Sequence, residues 1–223
     1  MLRSCRKTKK FVGFARFATP KQAGIQPTTP NKFTFEKNKH FKTMKNSNPS
    51  KYSLTSRILH WSMAALILFL LGLGIYMTDF LPKDAPNRME VYDLHKSFGA
   101  LVLVLIFIRI INRFIFKAPA LPATLVKWEK IAAHLGHAGL YLLMIAVPLS
   151  GYLMSNSFGY PVHFFGIELP FLIEKNLELG GFFAEAHEIS AFSLLGLVAI
   201  HVLGALKHRF FDKPENDVLK RML

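Results

Sequence analysis

Cysteine is nearly absent from this chain. Its single thiol, Cys5, can form no internal disulfide and no multi-cysteine metal site, which excludes iron–sulfur and zinc-ribbon chemistry built from this chain alone. Acid is scarce at the N-terminal end, where residues 1–57 hold 14 of the 28 lysines and arginines but a single carboxylate, Glu36. Charge of either sign is missing from the long apolar run Ile58–Met77. The net charge of +14 would suit nucleic acid. Here, however, the basic residues outside the N-terminal stretch gather at the ends of apolar runs, as membrane topology requires. No RNA- or DNA-binding motif accompanies them, so no nucleic-acid partner is expected.

Four runs reach the roughly 20 apolar residues that a membrane-spanning helix needs. They are Ile58–Met77, Leu94–Phe116, Ile131–Met154 and Ala186–Leu206. The charged residues within them, Lys96, Arg109, Arg113 and Glu188, lie near the ends, where a side chain can reach the headgroups. Pro148 is expected to kink the third span, and Trp61, Trp128, Tyr76 and Tyr152 suit interfacial belts. The expected fold is all-α, an integral membrane four-helix bundle over residues 51–223.

The connections give a direction. Thr78–Asp93 and Ser155–Glu185 are acidic on balance, whereas Arg109, Arg113, Lys117, Lys127 and Lys130 surround the middle connection and the tail adds Lys207, Arg209, Lys213, Lys220 and Arg221. Positive segments stay inside. Both termini are therefore expected in the cytoplasm of a cell whose inner membrane holds the spans. The connection Ser155–Glu185 is long and aromatic, with Phe158, Tyr160, Phe164, Phe165 and Phe171, and is expected to lie as a cap on the outer surface. Residues 1–50 are basic, proline-containing and without an apolar span, and read as a disordered extension. A transit peptide fits the same composition, and Met44 offers an alternative start that leads directly into the first span.

Histidine placement carries the functional argument. Of nine histidines, six lie in or at the ends of the spans: His60, His95, His134, His137, His187 and His201. An ionisable residue within a span is costly and marks function by default. His187 and His201 are 14 residues apart (201 − 187), which is about 40° from a whole number of turns and roughly 21 Å along the helix axis. One helix can thus offer an imidazole near each membrane surface from one face. With the expected topology His95 is level with His187, and His60 with His201. Such pairs suit bis-imidazole ligation of low-spin haem, a one-electron carrier without an open site for oxygen. A C-x-x-C-H motif is absent, so the haem would be held non-covalently. His134 and His137 have no level partner and are open to three roles: holding a propionate, holding a quinone, or making polar contacts at the interface. Arg109 and Arg113 suit either haem propionates or lipid phosphates. Gly99, Gly136, Gly139, Gly196 and Gly204 are candidates for close approach of a macrocycle or a neighbouring helix.

These residues sit in segments that resemble the bacterial cytochrome b561 family. The segments are SRILHW around His60, YDLHKSFG around His95, AHLGHAGLYLL with His134 and His137, PLSGYLM, AHE at His187 and GLVAIHVLGALKHRFF around His201. The resemblance runs from about Tyr52 to Arg221. It implies a four-helix inner-membrane protein with two b-type haems, ligated by His60, His95, His187 and His201, that exchanges electrons with quinones. Some such proteins are superoxide oxidases that pass the electron to ubiquinone, so superoxide, a redox protein and ubiquinone are the expected electron partners. The wider grouping also contains cytochrome b subunits that anchor hydrogenases or dehydrogenases, which is the alternative function. A haem-free histidine transporter is the third reading.

Overall fold

The computed structural model describes residues 51–223, so the expected basic extension and the alternative start at Met44 lie outside the described residues. Four long helices dominate: α1 (Leu54–Ile75), α2 (Arg88–Ile115), α3 (Lys127–Ser157) and α4 (Leu177–Phe210). All four are long and apolar enough to cross a membrane. Each overlaps one of the four expected spans but begins before it, because hydropathy reports the apolar layer while capping decides where a helix begins. Ser53 caps α1 by accepting from the Ser56 N–H at 3.2 Å. Asn176 caps α4 by accepting from the N–H groups of Glu178 and Leu179 at 3.0 and 3.1 Å, so the helix starts at Leu177, well before the expected span at Ala186. The last part of the connection expected as a surface cap, from Leu177 onward, is therefore helix.

A small internal core joins three of the helices, with Met63 and Ile67 of α1, Val102 and Ile106 of α2, and Leu194 of α4 buried together. Large side chains such as Leu68, Phe107, Ile111, Leu142 and Ile200 stay exposed on the outer faces. Apolar outer faces around a small core suit lipid as solvent, since lipid needs no polar shell. The closest packing is between α3 and α4. Of the five glycines expected at close contacts, Gly139 lies against a neighbouring helix: a Cβ there would stand 3.0 Å from Leu197 Cδ2, whereas a Cβ at Gly99, Gly136, Gly196 or Gly204 would meet no other part of the described residues within 4 Å.

Two smaller pieces close the ends. Between α3 and α4, β1 (His163–Phe164) and β2 (Ile167–Glu168) form an antiparallel hairpin. Its turn puts both Phe165 (φ 50°) and Gly166 (φ 91°) in the left-handed region, the geometry of a two-residue hairpin turn. Phenylalanine there costs about 1–2 kcal/mol. The conformation is held because the Phe165 N–H donates to Ser97 Oγ at 3.2 Å and its ring meets Phe98 edge-on. Ser97 in turn donates to the His163 carbonyl at 2.8 Å, and Lys96 to the Pro161 carbonyl at 2.9 Å. The hairpin is thus docked on α2 directly after His95.

At the opposite end, the segment after α4 turns back through two short 3-10 turns, Pro214–Asn216 and Leu219–Arg221. This strap is tied to three elements. Tyr52 N–H donates to the Arg221 carbonyl at 3.1 Å, Trp61 Nε1 donates to the Met222 carbonyl at 3.0 Å, and Thr124 bonds Asn216. Arg209 pairs with the buried Asp217. The Lys213 N–H, the Asn216 side chain and His208 hold the Asp212 carboxyl below the ordinary range.

Candidate functional site

The helices bring both expected histidine pairs together. His95 of α2 and His187 of α4 have ring centres 6.3 Å apart, and His60 of α1 and His201 of α4 have the same 6.3 Å separation. Two imidazoles sharing one metal through facing nitrogens put their ring centres about 6 Å apart, from two bonds of about 2 Å and two ring radii of about 1.2 Å. The donor set therefore fits two bis-imidazole haem sites.

The pairs differ in their surroundings. His187 Nδ1 donates to the Val147 carbonyl of α3 at 2.8 Å, with Ser150 Oγ 3.4 Å away. A carbonyl can only accept, so the proton is on Nδ1 and the Nε2 lone pair is free for a metal. Val147 directly precedes Pro148, which lies within α3. The ring packs so closely on α3 that a Cβ at Gly151 would stand 2.9 Å from His187 Cε1 and 3.0 Å from its Nδ1. Neither Gly151 nor Val147 was expected at the site. A backbone carbonyl leaves no trace in sequence, and one more glycine in a glycine-bearing span carries no distinct signal. His95 Nδ1 is buried with no hydrogen-bond partner among the described residues.

At the other pair the proton sits the opposite way. Arg109 Nη2 lies 2.9 Å from His60 Nδ1, and its Nε lies 3.4 Å from the Tyr141 hydroxyl. A guanidinium can only donate, so a neutral His60 accepts at Nδ1 and carries its proton on Nε2. Arg109 therefore turns inward onto the histidines, whereas lipid-phosphate snorkelling was one of its two expected roles. His137, expected to have no level partner, faces His201 edge-on with ring centres 5.5 Å apart. His134 lies one turn earlier on α3 and is exposed. His137 was a candidate, but its closeness to His201 was not expected, because depth estimated from span boundaries is too coarse to place a residue one turn inside α3.

Beside the His95 pair, Lys96 is not a free cation. Its ammonium lies 2.7 Å from Asp93 Oδ1, and His163 Nδ1 lies 3.7 Å from the same oxygen. At the far end of α4, Lys207 lies 2.5 Å from Glu129 Oε1 and joins α4 to the start of α3.

Comparison with known proteins gives the family. The model of the prokaryotic cytochrome b561 family matches residues 51–223. Cytochrome b561 homolog 2 of Escherichia coli K12 is 33% identical over 178 residues, covering 79% of this chain and 93% of that protein. Cytochrome b561 homolog 1 of the same organism is 27% identical over 173 residues, covering 78% and 97%. A protein of Yersinia pestis described as probable superoxide oxidase CybB is 27% identical over 172 residues, covering 77% and 96%. With four apolar helices and histidines paired between them, the chain belongs to the prokaryotic cytochrome b561 family of membrane-bound b-type cytochromes.

Proposed function

We propose that His95 with His187 and His60 with His201 each hold one b-type haem, and that the chain passes single electrons from a donor at the outer face to a membrane quinone. The observation that carries this is the repeated 6.3 Å ring separation at two levels of one bundle. Held by two imidazoles, a bound haem would supply a reversible one-electron couple and no site for oxygen. The likeness to a protein described as a superoxide oxidase supports superoxide as the donor. The balanced reaction is then two superoxide ions, one quinone and two protons giving two dioxygen molecules and one quinol. The charge pattern of the connections supports both termini facing the cytoplasm of a bacterial inner membrane, which makes His95/His187 the outer pair.

The residues act in distinct ways. The Val147 carbonyl fixes the His187 tautomer and orients its Nε2. Ligation of His60 through Nε2 requires Arg109 to release Nδ1, and a propionate is an anion whose fork matches the guanidinium. Arg109→Leu removes a positive charge beside the inner haem. It should lower the potential of that haem by tens of millivolts, on the order expected for local charge, while the outer haem keeps its own, as read by spectroelectrochemical titration. An unchanged inner couple would place Arg109 elsewhere in the loaded protein.

Lys96 should raise the local concentration of an anionic donor, although Asp93 offsets part of its field. Lys96→Gln should slow superoxide-driven quinone reduction roughly threefold to tenfold and weaken its dependence on ionic strength, with the haem spectrum unaltered. Stopped-flow turnover with a short-chain ubiquinone in nanodiscs tests both the reaction and this role. Absence of superoxide-dependent turnover in the wild type, together with co-purification of a soluble dehydrogenase, would move the reading to an anchoring electron relay.

A further inference from the structure

The Val147 carbonyl that holds His187 serves two donors at once. His187 Nδ1 lies 2.8 Å from its oxygen and Ser150 Oγ lies 2.9 Å from it. Ser150 Oγ is also 2.7 Å from the Ala146 carbonyl, so one hydroxyl proton is shared between adjacent carbonyls of α3. Such back-bonding is common for serine in a helix and by itself says little. Its obvious structural use in α3 would be to repair the gap at Pro148, which has no N–H and leaves the Met144 carbonyl (148 − 4) without its helical donor. The Ser150 hydroxyl goes to residues 146 and 147 instead. Its place beside the histidine sets it apart, with Oγ 3.4 Å from His187 Nδ1.

We propose that Ser150 is a positioning residue that raises the potential of the outer haem by drawing part of the Val147 carbonyl away from His187. The proposal rests on the haem-pair reading above and adds a control on one of its two sites. A carbonyl oxygen polarised toward a hydroxyl has less electron density to offer a second donor, so the bond from His187 Nδ1 is weaker than it would be alone. Oγ itself, at 3.4 Å from Nδ1, is too far to make up the difference. The strength of that bond matters at the other ring nitrogen. An imidazole that donates its N–H strongly is a more basic ligand through its second nitrogen. A more basic ligand favours the oxidised metal and lowers the couple. Ser150 works against this and keeps the outer site ready to accept an electron from its donor. The partner imidazole offers no such control, since His95 Nδ1 has no hydrogen-bond partner among the described residues. Hydrogen-bond tuning of the outer pair therefore falls to His187, Val147 and Ser150.

The test is a spectroelectrochemical titration of the full chain in nanodiscs, with haem content measured on the same samples. The component missing from His187→Ala identifies the outer couple. Ser150→Ala should keep both haems and shift the outer couple to lower potential, while the inner couple stays in place. Ser150→Thr keeps the hydroxyl and should return the outer couple to near its wild-type value, which a role in packing alone would not require. An unmoved or raised outer couple in Ser150→Ala, loss of the outer haem in that variant, or failure of Ser150→Thr to restore the couple would overturn the tuning role, and two haems in the wild type would still leave electron transfer standing. A single haem in the wild type would instead remove the pair on which the role rests.

Discussion

His187→Ala should bind one haem per chain where the wild type binds two, and superoxide-driven quinone reduction should fall by a hundredfold or more. The effect is large because His187 is held from both sides. Its Nδ1 is fixed by the Val147 carbonyl at 2.8 Å and its ring faces His95 at 6.3 Å, so the lone pair on Nε2 is aimed before any metal arrives. Removing only the group that hydrogen-bonds a ligand costs about 10–100-fold in metal affinity, and removing the ligand itself costs more. The remaining pair, His60 and His201, lies roughly 21 Å away along α4, from 14 residues (201 − 187) at about 1.5 Å each, so its haem should stay bound. Difference spectra of the dithionite-reduced variant show which component is lost. Two haems bound at wild-type affinity in His187→Ala would remove this histidine from the ligand set.

The second large effect comes from a residue with no side chain. Gly151→Leu should displace the His187 imidazole and abolish the outer haem while the inner one persists. A Cβ at this position already stands 2.9 Å from Cε1, closer than real contacts allow, and leucine adds three further carbons in the same direction. Overpacking of this kind costs about 1–3 kcal/mol when neighbours can move. Here the neighbour is a ring tied to the backbone of α3, so the strain falls on the ligand geometry itself. Gly151→Ala should give a milder form, a shifted outer-haem potential with both haems kept. Gly181→Ala in α4, where no atom lies within 4 Å, should leave both haems unaffected and controls for the loss of a helix glycine. Redox titration of the three variants separates these outcomes. An unaltered outer couple in Gly151→Leu would mean that the close packing of α3 on His187 does not persist in the loaded protein.

Much of this architecture can be read from the amino-acid order because a membrane makes few residue types do most of the work. Apolar runs locate the four helices, and histidines within such runs are conspicuous because each is costly there. The pairing of His95 with His187 and of His60 with His201 follows from the 14-residue spacing on α4 and the alternating direction of the helices, and both pairs meet in the folded chain. What escapes is what other residues determine. The start of α4 at Leu177 is set by the Asn176 cap and lies within a stretch that hydropathy assigns to a loop. The approach of α3 to His187 depends on a carbonyl at Val147 and a missing Cβ at Gly151. The strap beyond Phe210 has no periodic pattern. It is held by single long-range bonds from Tyr52, Trp61 and Thr124, none of which is marked locally.

The number of haems the bundle holds decides most directly whether both histidine pairs are ligand pairs. A pyridine haemochrome assay on the purified full-length protein, set against quantitative amino-acid analysis, measures it without any assumption about donor or acceptor. The paired imidazoles predict two non-covalent b-type haems per chain. A value of one, or a spectrum with no b-type band after reduction, would contradict the assignment of both pairs.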